Sequence, residues 1–477
     1  MTTSNLTLRR ILITDLDGTL IKTDMLWESL VRLIFQKPYL LPMVLIWAMK
    51  GRSHLKQELA NRVDISIQHL PFNQEVLAYL NRKKFEGYEI ILASASNEKW
   101  VHAVAQAHPI FDQVFASTLN LNLKGQQKLL SLQQAGITSP QSIEYIGDST
   151  ADLPLWESFP NASIVGSERL KQRVQKISQL QHHFVRERLS LKLILKSLRV
   201  HQWAKNVLVF APLLLVHSFD PGLWIKAVLT FFALSFLASA TYIVNDLADL
   251  DNDRAHLRKR ERPLASGRMS IPAALGIAGP LAVLAFSIGL FNGAPTLLGL
   301  SVYLCVTLAY SFRLKRLMVW DVVVLSFLYT LRILIGAYAT STVVSHWLLA
   351  FAVLAFTGLA LLKRTIELVQ LPEQQSSIKG RSYVKSDLLG VGVLGACASF
   401  SSLVVFLIYI GSDTVREHYS RPDLLFASGF ALVFWYLHLW IRSFRGEVND
   451  DPVLFAMKDP TSLMCIGLMA ACAALAV

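Results

Sequence analysis

Beyond about residue 200 the chain is written in apolar runs far too long to be strands. Nine can be counted, at about 203–219, 223–245, 271–291, 294–311, 319–340, 346–363, 388–411, 424–442 and 460–477. Each approaches the roughly 20 residues with which an α-helix crosses a bilayer. This half is therefore expected to fold as an all-α, nine-helix transmembrane bundle, with Pro212 and His217 interrupting its first run. Composition agrees, since 53% of the 477 residues are hydrophobic, which excludes a disordered or purely soluble chain.

The 46 Lys and Arg against 34 Asp and Glu leave a charge of +12, and their placement decides what that means. Even-numbered connections between the runs carry six (246–270), three (312–318), four (364–387) and three (442–459), about 16 in all, against two in the odd-numbered ones, Arg416 and Arg421. The basic excess is thus a topological signal, and no nucleic-acid partner is expected. It puts the amino terminus and the even connections in the cytoplasm, for a multi-pass protein of the inner (cytoplasmic) membrane. The first ten residues lack the apolar core of a signal peptide, and the apolar stretch that follows, ILITDLDGTLI, carries two aspartates. The four cysteines lie inside apolar runs, so neither a disulfide framework nor a thiolate metal site is indicated.

Upstream, short apolar runs (ILITDL, EIILAS, SIEYIGD) alternate with helical stretches, the pattern of a parallel α/β sheet with crossover helices. A charged, Gln-rich segment separates the halves, giving a domain over 1–167, a linker over 168–198 and the membrane domain over 199–477. The apolar segment 38–51, PYLLPMVLIWAMKG, has an unbroken part shorter than a span. It reads as a cap helix lying against the protein or the membrane face.

The first strand ends in Asp15 and Asp17, two residues apart and on one side of the strand, followed by Gly18 and Thr19. A second strand ends at Ser94, with Ser96 an alternative. A third ends at Asp148 with Asp152 beyond it, and Lys128 precedes it, with Lys124 an alternative. These four motifs, over roughly 8–165, resemble the haloacid dehalogenase (HAD) superfamily, mostly phosphatases of Rossmann-like α/β fold. The resemblance implies that Asp15 attacks phosphorus and that Asp17 protonates the leaving alkoxide and then activates water. Asp15, Asp148 and Asp152 would form a Mg²⁺ site, while Ser94 and Lys128 bind the phosphoryl oxygens. The insert from Thr23 to about Asn81 takes the place of that superfamily's cap.

At the end of the second apolar run stands NDLADLDNDRAHLRKRERPLASG, 245–267. Asn245, Asp249 and Asp253 recur every four residues on one helix face, with Asp246 one position away. Acids so clustered repel unless cations bind them, and Mg²⁺ shared with a phosphate substrate suits oxygen ligands. Arg258, Lys259 and Arg262 follow, charges fit for a diphosphate. The pattern resembles the first Asp-rich motif of the UbiA superfamily of intramembrane prenyltransferases over about 195–477, which implies that Asn245, Asp246, Asp249 and Asp253 bind diphosphate through Mg²⁺. Where that superfamily carries a second aspartate cluster, YSFRLKRLMVWD offers only Asp321, with Lys315 beside it. RVHQWAKNVLVFAP, the Asp-rich block and YSFRLKRLMVWD are similar to one branch, the decaprenyl-phosphate phosphoribosyltransferases.

Arg332 lies mid-way along the fifth run, where a charge should face the bundle interior. Lys205, with Gln202 and Asn206, forms a polar cluster at a helix entry, and Lys363, Arg364 and Glu367 lie near a cytoplasmic helix end. Tyr383, Lys385 and Asp387 are weaker candidates for contact with a donor's ribose. His256 reads as a surface-loop residue.

The resemblances imply transfer of 5-phosphoribose from 5-phosphoribosyl 1-diphosphate to a polyprenyl phosphate, followed by removal of the product's 5-phosphate by the attached phosphatase. The alternatives are a prenyltransferase acting on an aromatic or other lipophilic acceptor, and a non-catalytic membrane scaffold.

Overall fold

The computed structural model describes residues 9–138, 140–373, 375–378, 380–412, 415, 419–448 and 451–477. Arg416, counted above in an odd-numbered connection, lies outside them. Two compact units divide the chain: Met1–Leu198 with Tyr242–Ile277, and Arg199–Thr241 with Ala278–Val477.

The first unit is built on a six-stranded, all-parallel sheet of order β3-β2-β1-β4-β5-β6. The strands are β1 (Ile11–Thr14), β2 (Glu89–Asn97), β3 (Gln113–Ser117), β4 (Ile143–Gly147), β5 (Asn161–Gly166) and β6 (Gln179–Val185). Leu12, Ile90, Leu92 and Ile146 feed one core, and Ile13, Ile91, Tyr145 and Ile164 feed another. Central parallel strands buried on both faces read as continuous apolar runs for this reason. Chain order reverses between β1 and β4, which makes the carboxyl ends of those two strands the crevice of the sheet.

Helices α1 (Met25–Gln36), α2 (Leu41–Met49) and α3 (Arg52–Arg62) form the insert after β1. Next come α4 (Gln74–Phe85), α5 (Glu98–Ala107), α6 (Gln126–Gln134), α7 (Leu153–Ser158), α8 (Glu168–Val174) and α9 (Leu191–Leu198). The segment 168–198, read above as a linker, therefore holds α8, the edge strand β6 and α9. An edge strand tolerates polar side chains on its open side, so QLQHHFV buries Phe184 while Gln179, Gln181 and His182 stay exposed.

Beyond α9 come a 3₁₀ stretch, Val200–Phe210, and the short α10 (Ala211–Leu215). The longer helices are α11 (Pro221–Ala248), α12 (Leu250–Ala255), α13 (Ile271–Phe291), α14 (Ala294–Phe312), α15 (Trp320–Thr340), α16 (His346–Val369), α17 (Leu388–Ile410), α18 (Leu424–Phe444), α19 (Pro452–Ala456) and α20 (Pro460–Ala476). Among the described residues seven helices are long and apolar enough to span a membrane, or eight if the bent pair α1 and α2 counted as one span. The expected nine are thus not all present as long helices. The run at 203–219 is split into the 3₁₀ stretch and α10, with Pro212 in the first turn of α10 and His217 at φ +51° beyond it, and its polar residues serve the interior of the second unit: Asn206 donates to Ser235 Oγ at 3.0 Å. Gly336 on α15 lets this stretch pack closely, since a Cβ there would sit 2.1 Å from the Val209 carbonyl oxygen. The last run forms α20, whose 17 residues span roughly 25 Å. Val283, Leu298, Leu389 and Phe430 stand exposed on their helices, as lipid-facing side chains do.

Candidate active sites

At the crevice between β1 and β4 the backbone N–H of Asp15 donates to the Ile146 carbonyl at 3.0 Å, which fixes the first carboxylate beside the end of β4. Gly18 turns the chain with φ +70°, and a Cβ there would fall 2.1 Å from Asp148 Oδ2, so glycine is what lets the loop approach the third motif. Oxygens of Asp15, Asp148 and Asp152 lie within 4.8 Å of one another, and this is the trio of its kind found among the described residues. An all-carboxylate set of that spacing fits a small, hard divalent cation. Lys128, on α6 and almost fully buried, reaches Asp15 Oδ2 at 3.1 Å and Asp152 Oδ1 at 3.7 Å. Tyr145 donates to Asp152 at 2.7 Å and accepts from Lys128 at 3.0 Å.

Asp17 accepts from the Met25 N–H at 2.9 Å and from the Ser96 hydroxyl. Of the two serines weighed from sequence, Ser96 faces the cavity, while Ser94 is fully buried and its Oγ accepts the Ser96 N–H at 3.0 Å. The expected phosphate contact of Ser94 is therefore replaced by a role in holding the Ser96 backbone. Lys128 and Lys124 both line the cavity, Lys128 buried against the acids and Lys124 exposed at the mouth.

The cavity measures about 500 Å³. Burial, then the charge of Asp24, pushes the Asp17 carboxyl up to about 8, so it holds a proton at neutral pH as a general acid must. Burial, then Asp15, pushes Asp148 up to about 7, against the opposing pull of Arg186. Asp15 is also raised, chiefly by burial. Burial alone would lower Lys128, but Asp15 and Asp152 outweigh it and keep the ammonium charged. Sequence reasoning missed Arg186, whose Nη1 lies 3.3 Å from Asp148 Oδ2. It follows β6 in the polar segment taken for a linker, where no motif marks it. Ser270, Ile271 and Pro272, at the start of α13, also line this cavity.

The Asp-rich block ends α11 and continues through α12 in the same unit. Backbone bonds from Asp249 to the Asn245 carbonyl (3.0 Å) and from Asp253 to the Asp249 carbonyl (2.8 Å) carry the four-residue ladder through the junction, as the spacing implies. Arg262 lies between two of the acids, with Nη1 2.6 Å from Asp253 and 3.1 Å from Asp246. Asp246, Asp249 and Asp253 are not among the converging carboxylate trios found among the described residues; Asp246 and Asp253 are instead bridged by the Arg262 guanidinium. Arg258 and Lys259 are exposed, and their N–H groups donate to His256 Nδ1 at 3.2 and 3.4 Å. One buried network was invisible in the sequence. Fully buried Glu28 on α1 accepts from Arg254 Nη2 at 2.7 Å, from Arg32 Nη1 at 2.6 Å and from Thr23 Oγ1 at 2.7 Å. Arg32 in turn pairs with Asp251. Only the i,i+4 pair of Glu28 and Arg32 could have been read from spacing.

In the second unit Asp321 is fully buried. It accepts from Tyr383 at 2.7 Å and pairs with Arg364 (3.1 Å) and Arg381 (3.4 Å). It is thus an anchor for the connection 370–387 rather than half of a carboxylate cluster. Arg332 is buried as expected, donating to Asn206 (2.9 Å) and Tyr303 (3.2 Å), with its guanidinium 5.2 Å from the Tyr329 ring centroid. Lys205 and Lys363 converge on Asp451, at 2.5 and 3.6 Å, an acid that sequence reasoning passed over. Lys315 sits half-buried in the 3₁₀ turn Leu314–Arg316.

The pattern of the UbiA prenyltransferase family matches residues 207–457, and that of the haloacid dehalogenase-like hydrolases matches residues 12–157. The "Uncharacterized protein y4nM" of Sinorhizobium fredii (strain NBRC 101917 / NGR234) is 38% identical over 475 residues, covering 96% of this chain and 89% of that protein. The decaprenyl-phosphate phosphoribosyltransferase of Mycolicibacterium smegmatis is 34% identical over 277 residues, 56% of this chain and 86% of that protein. A solved UbiA homolog from Archaeoglobus fulgidus bound to DMAPP and Mg²⁺ is 15% identical, with TM-score 0.46 over 59% of this chain and 99% of that one.

Proposed function

This multi-pass membrane enzyme belongs to the UbiA prenyltransferase family and carries an N-terminal haloacid dehalogenase-like domain, and from that premise we propose that it transfers 5-phosphoribose to a polyprenyl phosphate and then removes the 5-phosphate. In the transfer the bond between ribose C1 and the diphosphate oxygen of 5-phosphoribosyl 1-diphosphate breaks. A phosphate oxygen of the lipid bonds to C1, and diphosphate leaves with the electron pair. Asn245, Asp246, Asp249 and Asp253 are assigned to the donor's diphosphate, where Mg²⁺ bound with it would offset the charge of diphosphate and acids alike. Arg258, Lys259, Arg262, Lys205 and Lys315 are assigned to substrate phosphates, while Asp321 and Arg332 position the helices that frame the acceptor. Supporting the phosphoribosyl donor over a prenyl one is the lone, fully engaged Asp321 where a second acidic cluster would stand.

In the second step Asp15 attacks the phosphorus of the product's monoester and Asp17 gives its proton to the departing ribose oxygen. Water activated by Asp17 then releases inorganic phosphate from the aspartyl phosphate. Mg²⁺ held by Asp15, Asp148 and Asp152 would neutralise charge on the phosphoryl oxygens; Lys128 holds Asp15 in place, and Ser96 and Lys124 offer donors at the cavity wall. The observation that carries this coupling is the wall itself, where Ile271 and Pro272, the first residues of a membrane-spanning helix, and Ser270 before them stand in the same cavity as the nucleophile. A phosphatase so built meets its substrate at a membrane surface, on the cytoplasmic side if the basic connections lie there.

Asp15→Asn tests the sequence of steps. Given polyprenyl phosphate and 5-phosphoribosyl 1-diphosphate, the wild type should yield a ribosylated lipid and the variant a lipid heavier by one phosphate. Identical product profiles from two transferase-active proteins would refute the coupling.

A further inference from the structure

The first unit carries a surface that neither catalytic step uses. Helix α2, LPMVLIWAM, contains no polar side chain, yet seven of its nine residues are exposed. Leu45 is 70% exposed and Met49 87%, and Tyr39 just before the helix is 73% exposed. Trp47 alone is buried, with the Arg62 guanidinium 4.7 Å from its ring centroid. Packing against the protein, one of the two readings of this segment, thus holds for Trp47 and the half-buried Leu40 and Val44, and leaves the rest of the helix uncovered. The helix meets α1 at 115°, and α1 is pinned by the buried Glu28 and Arg32, so the two do not form a straight span.

An apolar helix left uncovered in a water-facing domain is a liability unless something covers it. Two observations identify the cover. Between Glu28 and Glu58 there is no acidic residue, and of the basic ones Arg32 is buried with Glu28, whereas Lys50 and Arg52 stand exposed at the end of α2. That combination suits an anionic headgroup layer above an acyl interior. The second observation is continuity with the membrane: the unit that carries α2 also contains Ile271, where a membrane-spanning helix begins, and Ile271 lines the phosphatase cavity together with Leu26 and Trp27 of α1.

We propose that α2 lies in the bilayer interface, its Tyr39, Leu45 and Met49 face buried among lipid headgroups and upper acyl chains, and so holds the mouth of the phosphatase cavity at headgroup level. The substrate class then follows: a phosphomonoester on an amphiphile, presented from the membrane. The docking stands on the surface of α2, and only this consequence for substrate rests on the phosphatase reading.

The test uses the full chain in nanodiscs containing phosphatidylglycerol, with Cys305→Ser and Cys397→Ser removing the exposed native thiols. A bimane label at Met49→Cys should be quenched about twofold by brominated lipid and shielded from aqueous iodide, as expected for a side chain among acyl chains. The same label at Phe85→Cys, exposed at the end of α4, should show the reverse. A Met49 label quenched by iodide as strongly as the Phe85 label would overturn the docking. So would a label reached by neither quencher, which would put a second copy or another protein surface over α2. In a second arm, Leu45→Asp with Met49→Asp should leave p-nitrophenyl phosphate turnover within about twofold, which also reports folding. Hydrolysis of the lipid-borne product should fall about tenfold or more, since each side chain's partition into an apolar phase is worth at least that factor. Lipid quenching without any hydrolysis of the lipid product by the wild type would refute the coupled function and leave the docking intact.

Discussion

Glu28→Gln isolates the network that joins the cap helix α1 to the helix of the Asp-rich block. The wild-type carboxylate is fully buried and serves two guanidiniums, Arg254 and Arg32, at 2.6–3.0 Å. The amide keeps the volume and one acceptor oxygen but removes the charge and turns the other oxygen into an NH₂ donor facing a guanidinium, so Arg254 stays buried without a counter-charge, held by that oxygen and by the Ala265 carbonyl at 3.2 Å. Breaking a buried pair from one side costs about 3–5 kcal/mol, because the surviving charge has no water to turn to. For a unit of this size that is a fall in Tm of roughly 6–20 °C. Asp251→Asn is the internal control. Its side chain is 40% exposed, so its pair with Arg32 is worth about 1 kcal/mol or less. Retention of p-nitrophenyl phosphate activity after graded heating would report the first unit. The pH dependence has a definite sign. Burial would raise the Glu28 carboxyl, but the two arginines hold it at about 2, below its ordinary 4.5. Its stabilisation is therefore complete above pH 4.5 and is lost as pH falls towards 2, where the gap between wild type and Glu28→Gln should close. Equal losses from Glu28→Gln and Asp251→Asn at pH 7, or a Glu28→Gln loss of about 2 °C or less, would refute the assignment of the strength to the buried pair.

Asp253→Asn should lower phosphoribosyl transfer about 100-fold or more, as loss of a group acting on transition-state charge does, while p-nitrophenyl phosphate hydrolysis persists; full transfer activity would remove the diphosphate assignment. Cysteines at Ser341 or Ser412, in a background without Cys305 and Cys397, should react with an impermeant thiol reagent outside intact cells, whereas one at Ser266 should not. The reverse labelling would overturn the orientation. In chelator, thermal stability of the first unit should fall as pH rises from about 4 towards 8. Asp17 and Asp148, at about 8 and 7 when folded against 3.8 unfolded, retain protons that the unfolded chain has released. Asp17→Asn should flatten this slope, and an unchanged slope would show that Asp17 does not titrate there.

The parts of the fold that were legible are those dictated by local periodicity. The strands ending at Asp15 and Asp148 are buried on both faces, so their sequences are unbroken apolar runs, and the phosphatase carboxylates sit where those runs stop. The choice between Ser94 and Ser96 could not be made the same way. Both lie near the end of β2, and the register with β3 shifts between Ala93 and Asn97, so simple alternation no longer says which hydroxyl reaches Asp17. The polar edge strand β6 failed the apolar test because one of its edges has no neighbour, and Arg186 was lost with it. The run at 203–219 erred in the opposite direction: its composition is that of a span, but it folds as a 3₁₀ stretch and the five-residue α10, with His217 beyond them at φ +51°, and Asn206 and Lys205 are held by Ser235 and Asp451, far away in the chain.

The boundary between the two family matches, 12–157 and 207–457, does not coincide with the boundary between the compact units. Residues 242–277 fall within the second match yet belong to the first unit, and they include the whole Asp-rich block. Close packing contributes, with Gly267 set against Lys22 and Pro71, and a buried ion pair adds to it. Arg254 follows Asp253 in the chain, and its buried guanidinium needs a carboxylate; Glu28, 226 residues away, supplies one. An Asp-rich block whose buried arginine is neutralised by Glu28 of the insert after β1 is not an independent module beside a tethered hydrolase. The same stretch of chain runs from the acids proposed to bind diphosphate to Ser270 at the cavity that holds Asp15. The proposed product leaves the transferase with its ribose phosphate free, while its polyprenyl tail keeps it in the plane of the membrane. A hydrolase in the same chain and at the same surface meets that phosphate at an effective concentration fixed by geometry rather than by supply. That is the physical advantage a fused phosphatase has over a soluble one, and it is realised only if the cavity mouth stays at the lipid surface.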